Sequence, residues 1–155
     1  MRYSNADYAS CRVDMKSTSE TCHFLENCFV SWSFKKQNSV TLSTAKAEYI
    51  AAETCCAQVL WMKDALFDYE LHYDHTKIFC DNTSTIHMAK NANQYSEIKY
   101  IEIRYHFLRY HYEQDDIEID YVFTDFQLAD IFTKSLDYNY FAFICGELNV
   151  CVMEN

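Results

Sequence analysis

The sequence holds a single glycine and no proline in 155 residues, against ordinary usage of roughly 7% and 5%. Tight turns must therefore rest on Asn, Asp and Ser. No linker-like, low-complexity or repeated segment divides the chain. No run reaches the roughly 18 uninterrupted apolar residues that a membrane span needs, and the opening MRYSNADYAS lacks the apolar region of a secretory signal. These absences point to an intracellular chain, cytoplasmic or nuclear, that is neither secreted nor held in a membrane. Cys-x-x-Cys pairs are also missing, and the histidines fall at no zinc spacing, so the eight cysteines read as reduced, small core hydrophobes. Positive charge is scarce as well: 13 Lys and Arg against 23 Asp and Glu give a formal net charge of -10. Phosphate binding is driven mainly by Lys and Arg, so the isolated chain should bind nucleic acid weakly. Part of the acidic excess, Asp115, Asp116, Glu118 and Asp120, reads as a solvated turn and the outer face of a strand.

Half of the residues are apolar, and the length suits one ordinary domain with a core of its own. A first strand signal covers Arg2 to Tyr8. Thr21–Leu25, the pair Glu26-Asn27 and Cys28–Phe34 read as a hairpin with Asn in its turn. Ser43–Asp68 is rich in Ala and Leu without a breaker and predicts a long, largely buried helix. The apolar strand Lys77–Cys80 runs into Asp81-Asn82-Thr83-Ser84, which can cap a short helix through Lys90. A helix is expected from about Ile101 to Glu113, and a strand over Ile117–Phe123. Thr124-x-x-Gln127 then predicts a capping box opening a helix that carries Leu128-Ala129-Asp130. The order β β β α β α α β α implies an α/β domain over 1–148, with 149–155 as a tail. Its sheet is mixed, with the first three strands antiparallel.

Three carboxylates stand where a core should be. The helical neighbours of Glu48 are Thr44, Ala45, Ala51 and Ala52, whereas Lys46 lies roughly 200° away around the helix. A buried carboxylate is costly unless a cation or hydrogen bonds satisfy it. Asp81 follows an apolar strand, and strand C-terminal ends are where α/β folds place ligands. Asp130 lies in an amphipathic run. On spacing alone, Glu48 is equally a residue stabilised by the helix dipole, Asp81 a helix cap and Asp130 a solvent-facing residue. Three carboxylates at element ends also suit hard divalent cations. Two such ions about 4 Å apart can activate water and stabilise the leaving oxygen in phosphodiester cleavage.

Several blocks, YSNADYASC (3–11), KSTS (16–19), SWSFKKQNSVTLSTAKAEYIAA (31–52), FCDNTSTI (79–86), KYIEIRYHFLR (99–109) and QLADIFTKSL (127–136), together resemble the ribonuclease H domain that ends copia-type retrotransposon Pol polyproteins. The resemblance spans about residues 2–148. It implies a ribonuclease H-like fold, a five-stranded mixed sheet flanked by helices. It also implies hydrolysis of the RNA strand of an RNA/DNA hybrid with two Mg2+ (or Mn2+) ions, in a domain covalently linked to reverse transcriptase. The family's acidic positions fall on Asn5, Glu48, Asp81 and Asp130, of which Glu48, Asp81 and Asp130 would be the metal ligands.

The first position departs from the family, which has Asp where this chain has Asn5. An amide offers one neutral oxygen, so metal affinity should suffer. Asp7 lies on the same strand face but roughly 6 to 7 Å further along. Two outcomes compete: an impaired hybrid ribonuclease, or an inactive remnant that only folds or binds nucleic acid. The resemblance also shows Ser10 and Glu20 where the family usually has Gly, Tyr100 for His and Ser135 for Pro. Each swap can arise from a single G-to-A or C-to-T transition, as in a decaying genomic copy. The first strand is expected to be truncated. If Glu20 and Asn27 need positive φ, each would cost about 1 kcal/mol. Candidate nucleic-acid contacts are Lys35, Lys36, Gln37, Lys99 and Arg104, and His106 reads as a core or helix-packing residue.

Overall fold

The structure is a computed structural model that describes residues 1–11, 13–73, 76–91, 103–132 and 134–150. Its strands are β1 (Arg2–Asp7), β2 (Thr18–Leu25), β3 (Cys28–Lys36), β4 (Lys77–Cys80) and β5 (Glu118–Tyr121). The helices are α1 (Thr44–Phe67), α2 (Thr83–Lys90), α3 (Ile103–Glu113) and α4 (Tyr138–Glu147). The strands form one five-stranded sheet in the order β3-β2-β1-β4-β5. β1, β2 and β3 are antiparallel neighbours, while β4 runs parallel to both β1 and β5. The expected mixed α/β sheet is the one observed.

Strand alternation assigns the two faces. Ser19, Thr21 and His23 of β2 turn toward α1. There Thr21 Oγ1 donates to Gln58 Oε1 at 2.7 Å, and His23 Nε2 lies 2.8 Å from the same oxygen. Ala47 and Ala51 of α1 pack on Ala6 of β1, because small side chains let the helix approach the sheet closely. The core under α1, α2 and α3 is completed by Tyr49, Val59, Ile78, Leu108 and Ile119. On the opposite face Cys22, Phe24, Leu128, Ala129, Ile144 and Leu148 form a second cluster beneath α4. The seven described cysteines are free thiols, five of them buried, as expected of small core residues. No helix among the described residues is long and apolar enough to cross a membrane.

Several expectations need correction. The helix expected after Thr124 is instead two short 3-10 turns, Thr124–Phe126 and Leu128–Phe132. Gln127 does not cap: it is fully buried, and its Nε2 donates to the Ser4 carbonyl at 2.9 Å. That tie to β1 outcompetes the local capping bond. The last α-helix among the described residues is α4, opened by Asp137, whose Oδ1 accepts from the N–H groups of Asn139 and Tyr140. β2 begins at Thr18, three residues before the apolar signal, because its polar side chains are buried in hydrogen bonds. Neither Glu20 nor Asn27 has positive φ. In the β2–β3 turn it is Glu26 that does, at 54°. Left-handed backbone suits glycine far better than Glu. Glu26→Gly should therefore stabilise the fold by about 0.5–1 kcal/mol, whereas Asn27→Gly should not. Urea unfolding of the two variants checks this.

Candidate metal centre

β1 and β4 pair only at Arg2↔Ile78 and Tyr3↔Phe79. Beyond that register the two parallel strands part at their C-terminal ends. β1 is also the strand with an antiparallel neighbour on its other side, and such a change of direction opens a crevice where α/β sheets bind ligands. Asn5 lies on the β1 side of this crevice and Asp81 follows the last residue of β4 on the other. Glu48, one turn into α1, reaches in from the α1 face.

Glu48 is 7% exposed. It takes a hydrogen bond from the Ala6 backbone, while Oε2 is buried without a partner. Burial, then the charge of Asp81, pushes its carboxyl up to about 8. Oxygens of Glu48 and Asp81 and the Cys80 sulfur lie within 4.8 Å of one another. Burial also raises the Cys80 thiol far above its usual range, so it stays protonated and is a poor ligand. The remaining donors are carboxylate oxygens, which suit Mg2+ or Mn2+ rather than a thiolate-seeking ion.

Asp130 enters from the other face of the sheet. Leu128 and Ala129 anchor its turn in the core beneath α4, and Gln127 ties the turn to β1. Asn5 Nδ2 donates to Asp130 Oδ1 at 2.5 Å and to Glu20 Oε2 at 3.3 Å. Lys134 Nζ lies on the same Asp130 oxygen at 2.7 Å. Burial raises the Asp130 carboxyl despite that ammonium. For Lys134, burial is outweighed by the hydrogen bond to Asp130 and by the negative field of Asp81 and Glu20, so its ammonium is held above its usual value. The field extends to α4, where burial together with Asp130, Asp125 and Asp81 pushes the Tyr140 hydroxyl up to about 12.

The structure thus brings Asn5, Glu48, Asp81 and Asp130 around one crevice and adds two residues not anticipated as site residues, Glu20 and Lys134. Lys134 is one helical turn beyond Asp130, a spacing that could have flagged it. Glu20 is found only through the β1–β2 register. Among the nucleic-acid candidates, Gln37 is corrected: it is buried, its Nε2 donating to Ser19 Oγ and the Ala47 carbonyl at 2.9 Å each, so it ties β2 to α1. Lys36 is engaged with Asp14 at 2.8 Å and with Cys11. Lys35 is exposed beside a groove of ≈ 200 Å³ between the end of β3 and α1. Lys99 and the Arg104 side chain lie outside the described residues. His106 is exposed on α3, not packed in the core.

Solved structures with this fold include LC11-RNase H1, isolated from compost, with a TM-score of 0.61 at 12% identity, covering 83% of this chain and 88% of that one. The N-terminal RNase H domain of rv2228c from Mycobacterium tuberculosis superimposes with a TM-score of 0.60 at 11% identity, covering 94% and 96%. The fold is that of ribonuclease H. In sequence, the chain is 32% identical over 146 residues to the retrovirus-related Pol polyprotein from transposon TNT 1-94 of Nicotiana tabacum, covering 94% of this chain and 11% of the relative. The corresponding polyprotein from transposon RE2 of Arabidopsis thaliana is 33% identical over 135 residues, covering 86% and 9%. The chain is homologous to the retrovirus-related Pol polyproteins of copia-type transposons and spans about a tenth of their length. No protein-family model matches it.

The folded Glu48 carboxyl keeps its proton to about pH 8, whereas its ordinary value is 4.5. Between these values the folded state binds the extra proton, so metal-free protein loses stability as pH rises through that window. Glu48→Gln removes this loss. Relative to the unaltered chain, the variant should gain roughly 2–4 kcal/mol between pH 5 and pH 8.5, as measured by urea unfolding in chelator.

Proposed function

We propose that the chain is a retrotransposon-derived ribonuclease domain that hydrolyses the RNA strand of an RNA/DNA hybrid with two Mg2+ or Mn2+ ions, and that Asn5 impairs it. The observation that carries this reading is the buried Glu48 carboxylate, which lies within 4.8 Å of Asp81 where β1 and β4 part and whose Oε2 has no hydrogen-bond partner. Like charges brought together out of water are relieved by a proton or by a cation, and ligand chemistry at this crevice supplies the second. Glu48, Asp81 and Asp130 would hold the ions, and ions there would generate a nucleophile from water and stabilise the leaving oxygen. The chain's own part is to fix three carboxylates from three elements, with Gln127 and the core beneath α4 holding Asp130 rigidly. By itself Asn5 contributes a neutral oxygen where the related family has a carboxylate, a weaker ligand for an ion.

The net charge of -10 gives the domain little electrostatic grip on a hybrid. Lys35 is exposed and would be available to phosphate, and a covalently linked reverse transcriptase in a full polyprotein would supply further grip. A second reading, an inactive remnant, is favoured by one observation: Asp130 Oδ1 already receives both Asn5 Nδ2 and Lys134 Nζ.

Cleavage of a labelled RNA/DNA hybrid in Mg2+ or Mn2+ separates the two. The unaltered chain should cleave more than about tenfold slower than Asn5→Asp, consistent with the cost of a lost ligand, and Asp81→Asn should abolish cleavage. Folded samples that cleave in none of these forms would leave the remnant reading.

A further inference from the structure

We propose that Glu20 has taken over as the carboxylate on the β1–β2 side of the centre, returning from the adjacent strand the ion-binding charge that Asn5 lacks. The inference rests on the metal-centre reading above. Asn5 and Glu20 are direct partners in the β1–β2 register, so their side chains leave the same face of the sheet side by side. That face is the one Asp130 approaches. Glu20 is fully buried, with Asn5 Nδ2 among its partners.

Asn5 Nδ2 shows how Glu20 and Asp130 converge. One nitrogen touches an oxygen of each, at 3.3 and 2.5 Å, so carboxylates from two elements meet at one donor. A cation admitted there would find both oxygens, together with the Asn5 Oδ1 once the amide turns. The negative charge of Glu20 is also felt by Glu48 and by Lys134, which places it inside the same electrostatic unit. The centre then consists of two carboxylate pairs, Glu48 with Asp81 and Asp130 with Glu20, each suited to one hard divalent ion. Glu48, 7% exposed and within 4.8 Å of Asp81, keeps one buried oxygen, Oε2, without a hydrogen-bond partner, which marks the Glu48–Asp81 side of the unit as open to a ligand. The family resembled by this sequence usually has glycine where this chain has Glu20, so this carboxylate stands outside the ligand set the resemblance implies.

Mn2+ binding, followed by loss of the free-ion electron paramagnetic resonance signal, tests the assignment in samples shown to melt cooperatively. The unaltered chain should bind Mn2+. Glu20→Gln, which keeps the shape and an acceptor for Asn5, and Glu20→Gly should each bind at least tenfold more weakly. The double variant Asn5→Asp/Glu20→Gly, which moves the carboxylate back to β1, should regain the affinity and show that glycine at position 20 is tolerated. A folded Glu20→Gln or Glu20→Gly that binds as the unaltered chain does would overturn the role of Glu20. Binding by the double variant but not by the unaltered chain would overturn it too, and either result would leave the metal-centre reading standing. No binding by any form, the double variant included, would overturn both.

Discussion

Glu20, Glu48 and Asp130 are withdrawn from water around one crevice, and the rest of the site follows from how that charge is tolerated. Desolvated like charges raise one another's proton affinity or recruit a cation. The protein shows both responses: the Glu48 carboxyl is pushed up to about 8, and Lys134 is drawn onto Asp130. The parting of β1 from β4 after Tyr3 and Phe79 makes the arrangement possible. It leaves an opening at the end of the sheet into which a helix on one face and a turn on the other can each deliver a carboxylate. The apolar clusters on the two faces hold those elements in place, so the site inherits its rigidity from the core.

Much of the architecture was legible because burial patterns differ by element. β4 is short, apolar and bounded by capping residues, and α1 has no breaker over 24 residues. Legibility failed where tertiary contacts overrode local signals. Gln127 looked like a cap and is a buried strut to β1; Thr18–Glu20 lay ahead of the strand signal and is sheet; Gln37 looked like a nucleic-acid contact and is a tie to α1. Each is a polar residue whose partner lies far away in sequence, which no local pattern encodes.

The same limit applies to the candidate centre. Glu48, Asp81 and Asp130 could be singled out because each is a charge at the end of, or inside, an apolar element, and Asn5 because a resemblance marked its position. Glu20 gave no such signal. Its meaning depends on facing Asn5 across the β1–β2 pair, and a shift of one residue in that register would turn it to the α1 face. A change that looks like simple loss at Asn5 is therefore coupled to its neighbour, and the two positions should be altered together as well as singly.

Anomalous diffraction from crystals soaked in Mn2+ tests the central claim most directly, namely that this buried negative charge is a cation site. The account predicts manganese peaks within bonding distance of Glu48 and Asp81 and of Asp130 and Glu20, with Lys134 displaced from Asp130. Soaked crystals with no manganese at these carboxylates, and with Lys134 still on Asp130, would contradict it.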